Sequence, residues 1–254
     1  AQRHADLHPQ RRAGWVATTA HWRSLWRDAL APGQRSDEAP LHPGRVVADI
    51  AAVTPREAVV LSDIGQHHSW MVQQWPVREG GLFLQSGGSA TMGFGVGGAI
   101  GAQLAAQDRP VVAVVGDGGM LMHASAVATA VEYRLPIVWV VWNNSGYVSI
   151  RDLQKGFYGQ DREFATRFRD NGVEGALHST DYALLAQAMG AQGLRVERAA
   201  DLAGQLERAI RSNRPTVLDV RVAADAPRLT AGAWDMPPIA GPRPSYDPDP
   251  LHRG

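Results

Sequence analysis

The sequence predicts an α/β fold, with a parallel β-sheet flanked by helices on both faces. Short, continuous apolar runs such as Val111–Val115 and Ile137–Trp142 are typical of strands that are buried on both sides. Segments with helical spacing of apolar residues alternate with these runs along the chain. Polar side chains directly follow the two clearest strands, at the sheet edge where open α/β folds bind ligands.

Length and composition restrict the class of protein. The 254 residues are enough to bury a core, and the 25 basic and 25 acidic residues cancel, so charge favours neither nucleic acid nor an anionic membrane as a partner. The chain has no cysteine, which excludes disulfides, thiolate metal sites and cysteine nucleophiles. No run approaches the roughly 20 apolar residues of a membrane span, and residues 1–12 do not resemble a signal peptide. We therefore expect a cytoplasmic protein.

Three regions are expected along the chain. Residues 1–44 form a helix, predicted over Trp15–Leu30, and a linker, because helix breakers fill Ala31–Gly44. The tryptophans of this helix are expected to form an interface stripe. Residues 45–225 form the α/β domain, and the proline-containing residues 226–254 form an extended tail.

Within the α/β domain, apolar runs predict the strands and helical spacing predicts the helices. Strands are expected at 58–62, 82–85, 111–115, 137–142, 193–196 and 216–222. Helices are expected at 45–53, 68–74, 93–106, 120–133, 182–189 and 201–211. Residues 151–177 have weak periodicity and are charged, so we predict an irregular excursion that carries a short helix.

The strand that ends at Val115 runs into Gly116-Asp117-Gly118-Gly119. Alone, this sequence is equally compatible with a tight turn. At the carboxyl end of a parallel strand, however, the glycines allow a ligand to approach the backbone, and Asp117 could bind a hard cation that bridges to a diphosphate. The start of the following helix would then face the phosphate oxygens.

A second polar sequence, Asn143-Asn144-Ser145-Gly146, follows the next strand, and Asn144 lies 27 residues after Asp117. A right-handed crossover of this length returns the chain to the same sheet edge. The Asn144 amide oxygen and the Gly146 carbonyl could then join Asp117 around one Mg²⁺, with phosphate and water completing the shell. The pair of motifs therefore predicts a metal–diphosphate site. A plain nucleotide-binding α/β domain is an alternative, but it would have no role for the tandem asparagines.

Together these motifs resemble the thiamine diphosphate fingerprint of the acetolactate synthase and pyruvate decarboxylase superfamily. The resemblance spans roughly 45–222 and implies that thiamine diphosphate is held through Mg²⁺. It implies the metal ligands Asp117, Asn144 and Gly146. It also places Gly116, Gly118, Gly119 and Tyr147 against the cofactor.

Two further segments carry the resemblance. Asp63–His67 resembles the loop that meets the diphosphate, which assigns cofactor contacts to Gly65, Gln66 and His67. Ser89–Gly95 resembles the segment that holds the aminopyrimidine. There, the Ala90 carbonyl would accept a hydrogen bond from the cofactor's amino group, and Met92 would wedge the two rings into a bent conformation. The family usually has glycine at the position of Ala90, and Gly97-Gly98 replaces the usual Pro-Ala. Without the flanking glycines, Met92 would be interpreted as a core residue.

The resemblance also bears on the reaction. Six residues after Asn144, pyruvate decarboxylases have an acidic residue that helps to release aldehyde, whereas acetolactate synthases have an aliphatic one, and this chain has Ile150. An apolar pocket at Ile150 favours carboligation. Met92 and Ile150 are thus the expected catalytic-pocket residues, and we expect no catalytic acid or base in this chain. Leu153 replaces the tryptophan of biosynthetic synthases, which leaves the acceptor open.

Members of the superfamily need a glutamate that contacts the pyrimidine and comes from a separate pyrimidine-binding domain. We therefore expect this chain to be a subunit of a split enzyme or a piece of a longer one, in a homo- or hetero-oligomer that processes a small 2-oxoacid. A non-oxidative decarboxylase or acyl-transfer enzyme of the same superfamily is one alternative. A non-catalytic cofactor-binding or assembly subunit is another.

Overall fold

A computed structural model describes residues 9–159, 163–172 and 175–227. Within them, the predicted parallel sheet is confirmed: its strands follow the order β2-β1-β3-β4-β6-β5, and every neighbouring pair is parallel. The strands are β1 (Val59–Ser62), β2 (Leu82–Gln85), β3 (Val111–Gly116), β4 (Ile137–Asn143), β5 (Gln192–Val196) and β6 (Thr216–Arg221).

Helices separate the strands and lie on both faces of the sheet. They are α1 (Pro9–Gln34), α2 (Pro43–Val53), α3 (Gln66–Gln74), α4 (Phe94–Ala105), α5 (Asp117–His123), α6 (Ser125–Glu132), α7 (Val148–Tyr158), α8 (Tyr182–Ala188) and α9 (Ala199–Arg211). No helix in the described part of the chain is long and apolar enough to cross a membrane.

Two hydrophobic cores cover the two faces of the sheet. One lies between the sheet and helices α2, α3 and α9, and the other between the sheet and helices α4, α5, α6 and α8. Strand β4 feeds both, since Val140 and Trp142 face the first core and Trp139 and Val141 face the second. All seven residues of β4 are buried, which explains why its sequence is a continuous apolar run rather than an alternating one.

The chain reverses its direction across the sheet between β1 and β3. From β1 it proceeds to the edge strand β2, and from β3 it proceeds the other way, to β4. Such a switch point leaves a crevice outside the carboxyl ends of the strands. Asp63, Asp117 and Asn144 directly follow β1, β3 and β4, so the topology brings these polar residues to one edge.

The main differences from the sequence prediction are at helix ends. Helix α1 does not end at Leu30 but continues to Gln34, and it contains Pro32 in its last turn, where the proline removes one backbone N–H donor without ending the helix. The helix predicted over 120–133 is two helices that meet at Ala124. The first of them begins at Asp117, because its two glycines adopt helical conformation rather than a turn.

The remaining predicted elements lie within a few residues of the observed ones. The short helix predicted inside the excursion is α7, which begins at Val148, three residues before the predicted start of the excursion. Helix α3 begins at Gln66, so Gln66 and His67 lie in a first helical turn rather than in a loop. Most of the predicted tail, residues 228–254, and the first eight residues lie outside the described part of the chain.

Candidate active site

A cleft of about 290 Å³ lies at the carboxyl ends of β1, β3 and β4. Every site residue that the sequence predicted lines it. These residues are Gly65, Gln66, His67, Ala90, Met92, Gly116, Asp117, Gly118, Gly119, Asn144, Gly146, Tyr147 and Ile150. Ile64, Trp142, Val148 and Ser149 complete the lining. The structure thus brings together segments that are separated by up to 86 residues in sequence.

Asp117 is the buried acid of this cleft. Its carboxylate accepts hydrogen bonds from the backbone N–H groups of Gly118 (2.8 Å), Gly146 (3.0 Å) and Asn144 (3.2 Å). Burial raises the pKa of Asp117 to about 6, against the lowering effect of these donors, so the group is mostly ionised at neutral pH. These donors orient the carboxylate in the cleft, and an ionised carboxylate is a ligand that a hard cation such as Mg²⁺ prefers.

Asn144 lies directly beside Asp117, and its side chain is oriented by a neighbour. Its Nδ2 donates to Gln66 Oε1 at 2.9 Å, while Gln66 Nε2 donates to the carbonyl of Ala224 at 2.8 Å. These two bonds fix which end of the Asn144 amide carries the oxygen. Oδ1 is therefore at the end directed away from Gln66, as a ligand for a cation requires.

The backbone at Gly146 is held by a short antiparallel bridge to Arg167. The bridge uses the Ser145 carbonyl, which accepts from Phe168 N at 3.0 Å, and the Tyr147 N–H, which donates to Thr166 O at 2.8 Å. It does not use the carbonyl of Gly146. Gly146 has a φ of 148° and a side chain there would collide with the Thr166 carbonyl, so this position requires glycine.

Asp63 fixes a segment of the cleft wall by hydrogen bonds, a role that the sequence did not reveal. Its buried carboxylate accepts hydrogen bonds from the N–H groups of Gly93 (2.9 Å) and Gly95 (3.3 Å). Burial raises its pKa, and these N–H groups oppose the increase. Asp63 therefore attaches the 89–95 segment, which carries two of the predicted cofactor contacts, to the end of β1. An acid directly after a fully buried strand was the signal for this role.

Ala90 and Met92 lie on that segment and reach the cleft. Ala90 has a φ of 51°, in the left-handed region where glycine is the usual residue. The backbone conformation therefore accounts for the glycine that resembling enzymes have at this position. Met92 is half-buried, so it is not one of the fully enclosed core methionines such as Met71 and Met120.

His67 is a buried histidine with an unsatisfied ring atom. Burial, with a smaller effect of His68, lowers its pKa to about 3, so the ring is neutral. Among the described residues, no hydrogen-bond partner reaches its Nε2. A Cβ at Gly65 or Gly116 would lie only 3.0 or 3.2 Å from this ring, so the two glycines provide the space that the imidazole occupies. A cleft-lining nitrogen without a protein partner suits a polar ligand.

Trp142 is a cleft residue that the sequence did not identify. It belongs to the apolar run of β4, and a buried strand residue gives no local indication that it reaches a cleft. Its indole Nε1 is buried, and within the described residues it has no hydrogen-bond partner. Its ring centroid lies 6.2 Å from that of His67. Two residues of the cleft lining, His67 and Trp142, therefore have buried ring nitrogens without a hydrogen-bond partner among the described residues.

The opposite wall is apolar and open. Ile150 on α7 lines the cleft with 47% of its surface exposed, and Leu153 is exposed on the same helix. No three histidine, cysteine, aspartate or glutamate side chains cluster as a metal site in the described residues. An ion at Asp117 would therefore depend on neutral oxygen ligands and on oxygens from outside the protein, as Mg²⁺ commonly does.

Comparisons with known proteins identify the family of this chain. Residues 63–220 match the family described as thiamine pyrophosphate enzyme, C-terminal TPP binding domain. The chain is 32% identical over 213 residues to the putative thiamine pyrophosphate-containing protein YdaP of Bacillus subtilis, covering 83% of this chain and 35% of that protein. It is also 32% identical to the acetolactate synthase large subunit of Parasynechococcus marenigrum, covering 84% of this chain and 32% of that subunit.

A solved structure shows the same fold. The thiamine diphosphate-dependent 4-hydroxybenzoylformate decarboxylase of Rhodococcus jostii RHA1 superposes with a TM-score of 0.66 at 26% identity, over 76% of this chain and 34% of that one. The chain thus spans about a third of the length of these relatives. With a family match over most of the α/β domain and the cleft at its sheet edge, the chain belongs to the thiamine pyrophosphate enzymes and contains their C-terminal cofactor-binding domain.

Proposed function

We propose that this chain is the diphosphate-binding half of a thiamine diphosphate- and Mg²⁺-dependent enzyme that decarboxylates a small 2-oxoacid and joins the product to a second carbonyl compound. The proposal rests on one observation. The Asp117 carboxylate accepts a hydrogen bond from the backbone N–H of Asn144, so the polar residues that follow β3 and β4 meet in one cleft. The acetolactate synthases among the relatives support the carboligase reading.

The donor set in the cleft fits a magnesium ion bound to a diphosphate. Asp117 supplies a buried carboxylate, Asn144 presents an amide oxygen, and Gly146 has a carbonyl that its bridge does not use. Three protein oxygens leave the other octahedral positions to phosphate and water. His67, Gly65 and Gln66, which line the cleft, would contact the diphosphate.

When bound, thiamine diphosphate supplies the nucleophilic carbon and accepts the electrons that decarboxylation releases. The residues of this chain bind and orient the cofactor. Met92 would hold the cofactor bent, and the Ala90 carbonyl would accept a hydrogen bond from its amino group. Ile150 on α7 presents an apolar side chain in the cleft, which would disfavour water near the reaction centre and thereby favour a second carbonyl compound over a proton.

The cleft has too few acidic residues to activate the cofactor by itself, so the proposed enzyme needs a partner. Among its lining residues in the described chain, Asp117 is the single carboxylate, and it is committed to the metal. The glutamate that activates the pyrimidine would come from a pyrimidine-binding domain or subunit within a homo- or hetero-oligomer. Exposed apolar side chains on α5 and α7 offer a surface for that partner: Leu121, Met122, Leu153 and Phe157.

The metal assignment is tested by calorimetric titration of the chain with thiamine diphosphate and with inorganic diphosphate, each with and without Mg²⁺. Wild-type chain should bind both only with Mg²⁺, and Asp117→Ala should lose at least tenfold in affinity. Asp37→Ala, which removes an exposed carboxylate outside the cleft, is the matched control and should bind like wild type. Unchanged affinity in Asp117→Ala would refute the metal site.

A non-oxidative decarboxylase is the second candidate, because the solved relative in the comparison is a decarboxylase. The two reactions differ in product: a carboligase yields an acyloin from two carbonyl compounds, whereas a decarboxylase releases free aldehyde. Assaying both products after addition of the pyrimidine-binding partner distinguishes them. If neither the acyloin nor the aldehyde is formed although cofactor binding is intact, a cofactor-binding or assembly subunit without turnover is favoured.

A further inference from the structure

A buried polar network of residues that do not line the cleft is hydrogen-bonded to the candidate metal site. At its centre is Asp219, which is fully buried in β6. Asp219 Oδ1 accepts a hydrogen bond from Asn143 Nδ2 at 2.7 Å, and Oδ2 accepts one from the backbone N–H of Tyr182 at 3.2 Å. One carboxylate thus fixes both the first of the tandem asparagines and the start of α8.

Tyr182 connects this network to the metal site. Its side chain is fully buried, and its hydroxyl donates to the backbone carbonyl of Asp117 at 2.9 Å. Burial and the nearby Asp117 raise the pKa of Tyr182, so the hydroxyl remains a neutral donor. Asp117 is therefore fixed twice: its carboxylate by the N–H groups of the cleft, and its backbone by Tyr182.

The tandem asparagines have different surroundings. Asn143 directs its amide into the network, where Oδ1 accepts from Ser179 Oγ at 2.7 Å and Nδ2 also donates to the Thr180 carbonyl at 3.2 Å. Asn144 lines the cleft instead. Within the described residues, every hydrogen-bond partner of the Asn143 side chain comes from β6 or from the segment that precedes α8. This side chain therefore ties the loop that carries Asn144 to the same elements that hold Asp117.

We propose that Tyr182 and Asp219 are positioning residues of the metal site, which set the distance between Asp117 and Asn144 without contacting the ion or the cofactor. The inference rests on the proposed function, since it assumes that Asp117 and Asn144 bind a divalent cation. It assigns a role to residues that lie 65 and 102 positions after Asp117 and that no sequence motif had identified.

The size of the ion provides a specific readout. Mg²⁺ demands near-ideal octahedral geometry with short metal–oxygen distances, whereas Ca²⁺ accepts longer distances and irregular coordination. A small displacement of Asp117 should therefore weaken binding with Mg²⁺ more than binding with Ca²⁺. General destabilisation of the domain would weaken both equally, so the ratio of the two affinities separates positioning from folding.

Tyr182→Phe is the primary variant, because it removes only the hydroxyl and retains the buried ring. Thr216→Val is its matched control: Thr216 is a buried hydroxyl at the other end of β6, bonded to Gln192 Oε1 (3.1 Å) and the Arg214 carbonyl (3.0 Å). Both variants lose hydroxyl hydrogen bonds that contribute about 1 kcal/mol each. Both should therefore lower the thermal unfolding midpoint.

Inorganic diphosphate is titrated into each variant with Mg²⁺ and with Ca²⁺. Tyr182→Phe should weaken Mg²⁺-dependent binding by about fivefold, which corresponds to about 1 kcal/mol, and Ca²⁺-dependent binding by less than about twofold. Thr216→Val should change neither affinity. Asp219→Asn should act in the same direction as Tyr182→Phe, and the double variant should fall short of the sum of the two effects because the residues share one network.

Two negative results are distinguishable. Metal-dependent binding by wild type, together with an unchanged Mg²⁺-to-Ca²⁺ affinity ratio in Tyr182→Phe, would overturn the positioning role alone. Absence of metal-dependent diphosphate binding in the wild-type chain would overturn the proposed function, and this inference with it.

Discussion

His67 couples the cleft to the pH dependence of stability. Its pKa is lowered to about 3 in the folded chain because the ring is buried, whereas in the unfolded chain it titrates near 6.5. Below pH 6.5 His67 binds a proton in the unfolded state but stays neutral in the native state. His67 therefore lowers the free energy of unfolding as the pH falls from about 6.5, by about 1.4 kcal/mol per pH unit at most, and has no such effect above that pH.

We predict that His67→Gln removes this loss. Urea unfolding of both proteins between pH 7.5 and 5, with a chelator present, should show wild type losing about 1 kcal/mol more per pH unit below about pH 6. Asp117 acts in the opposite direction, since its pKa is raised to about 6 and protonation there favours the native state. It is present in both proteins and cancels in the difference. Parallel pH profiles would contradict a buried neutral His67.

Ile150 is expected to control the product. An acidic side chain at the apolar cleft wall could deliver a proton to the reacting carbon, so Ile150→Glu should increase free aldehyde relative to acyloin in the reconstituted enzyme. Leu104→Glu, at an exposed apolar residue of α4 outside the cleft lining, is the control and should leave the product ratio unchanged. An unchanged ratio in Ile150→Glu would remove Ile150 from the reaction pocket.

At the residue scale, the sequence predicted the positions that local motifs identify. Asp117, Asn144 and the glycines around them lie in short, distinctive segments, and all of them line the cleft. Tyr182 and Trp142 escaped prediction for a physical reason. Their contacts are with residues far away in sequence, as with the bond between Tyr182 and Asp117 over 65 positions, and such contacts leave no local pattern.

Among the elements, helix α4 contains glycines with opposite roles. At Gly97 an added Cβ would meet no atom within 4 Å, whereas at Gly95 it would lie 2.9 Å from the side chains of Asp63 and Val115. Gly97 therefore lowers the stability of the helix by the conformational entropy of glycine, although the space around it would accommodate a side chain. Gly95, in contrast, permits the helix to approach the sheet. The same residue type serves packing at one position and weakens the helix at the other.

We predict that Gly97→Ala raises the free energy of unfolding by about 0.5–1 kcal/mol and that Gly95→Ala lowers it by about 1–3 kcal/mol because of overpacking. The two variants are controls for each other, since they lie two residues apart on one helix. Urea denaturation measures both. Changes of the same sign would show that packing against Asp63 and Val115 does not decide the effect.

Element types could be predicted from the sequence, whereas element ends could not. Continuous apolar runs identify β3 and β4 because both faces of the sheet are covered. The start of α5 was misplaced by three residues because Gly118 and Gly119 have low helix propensity, and only the fold around Asp117 makes them helical. Helix α1 extends past Leu30 and through Pro32, although the helix breakers after Leu30 predicted a linker there.

For the whole molecule, the exposed apolar side chains on α5 and α7 predict association. Met122 on α5 and Leu153 on α7 are more than half exposed, and this surface would be covered by the pyrimidine-binding partner. Met122→Asp with Leu153→Asp should weaken co-purification of that partner and abolish turnover, while Mg²⁺-dependent diphosphate binding by the chain is retained. Native mass measurement reports the association. Full turnover by a monomeric chain would contradict the need for a partner.

The central claim is that Asp117, Asn144 and Gly146 hold one divalent cation that carries the cofactor's diphosphate. The most direct test is anomalous diffraction from crystals grown with thiamine diphosphate and Mn²⁺, an ion that prefers the same oxygen ligands as Mg²⁺. We predict one anomalous peak within coordination distance of the Asp117 carboxylate, the Asn144 amide oxygen and the Gly146 carbonyl. A bound cofactor with the metal peak elsewhere, or with no peak at these three oxygens, would contradict the account.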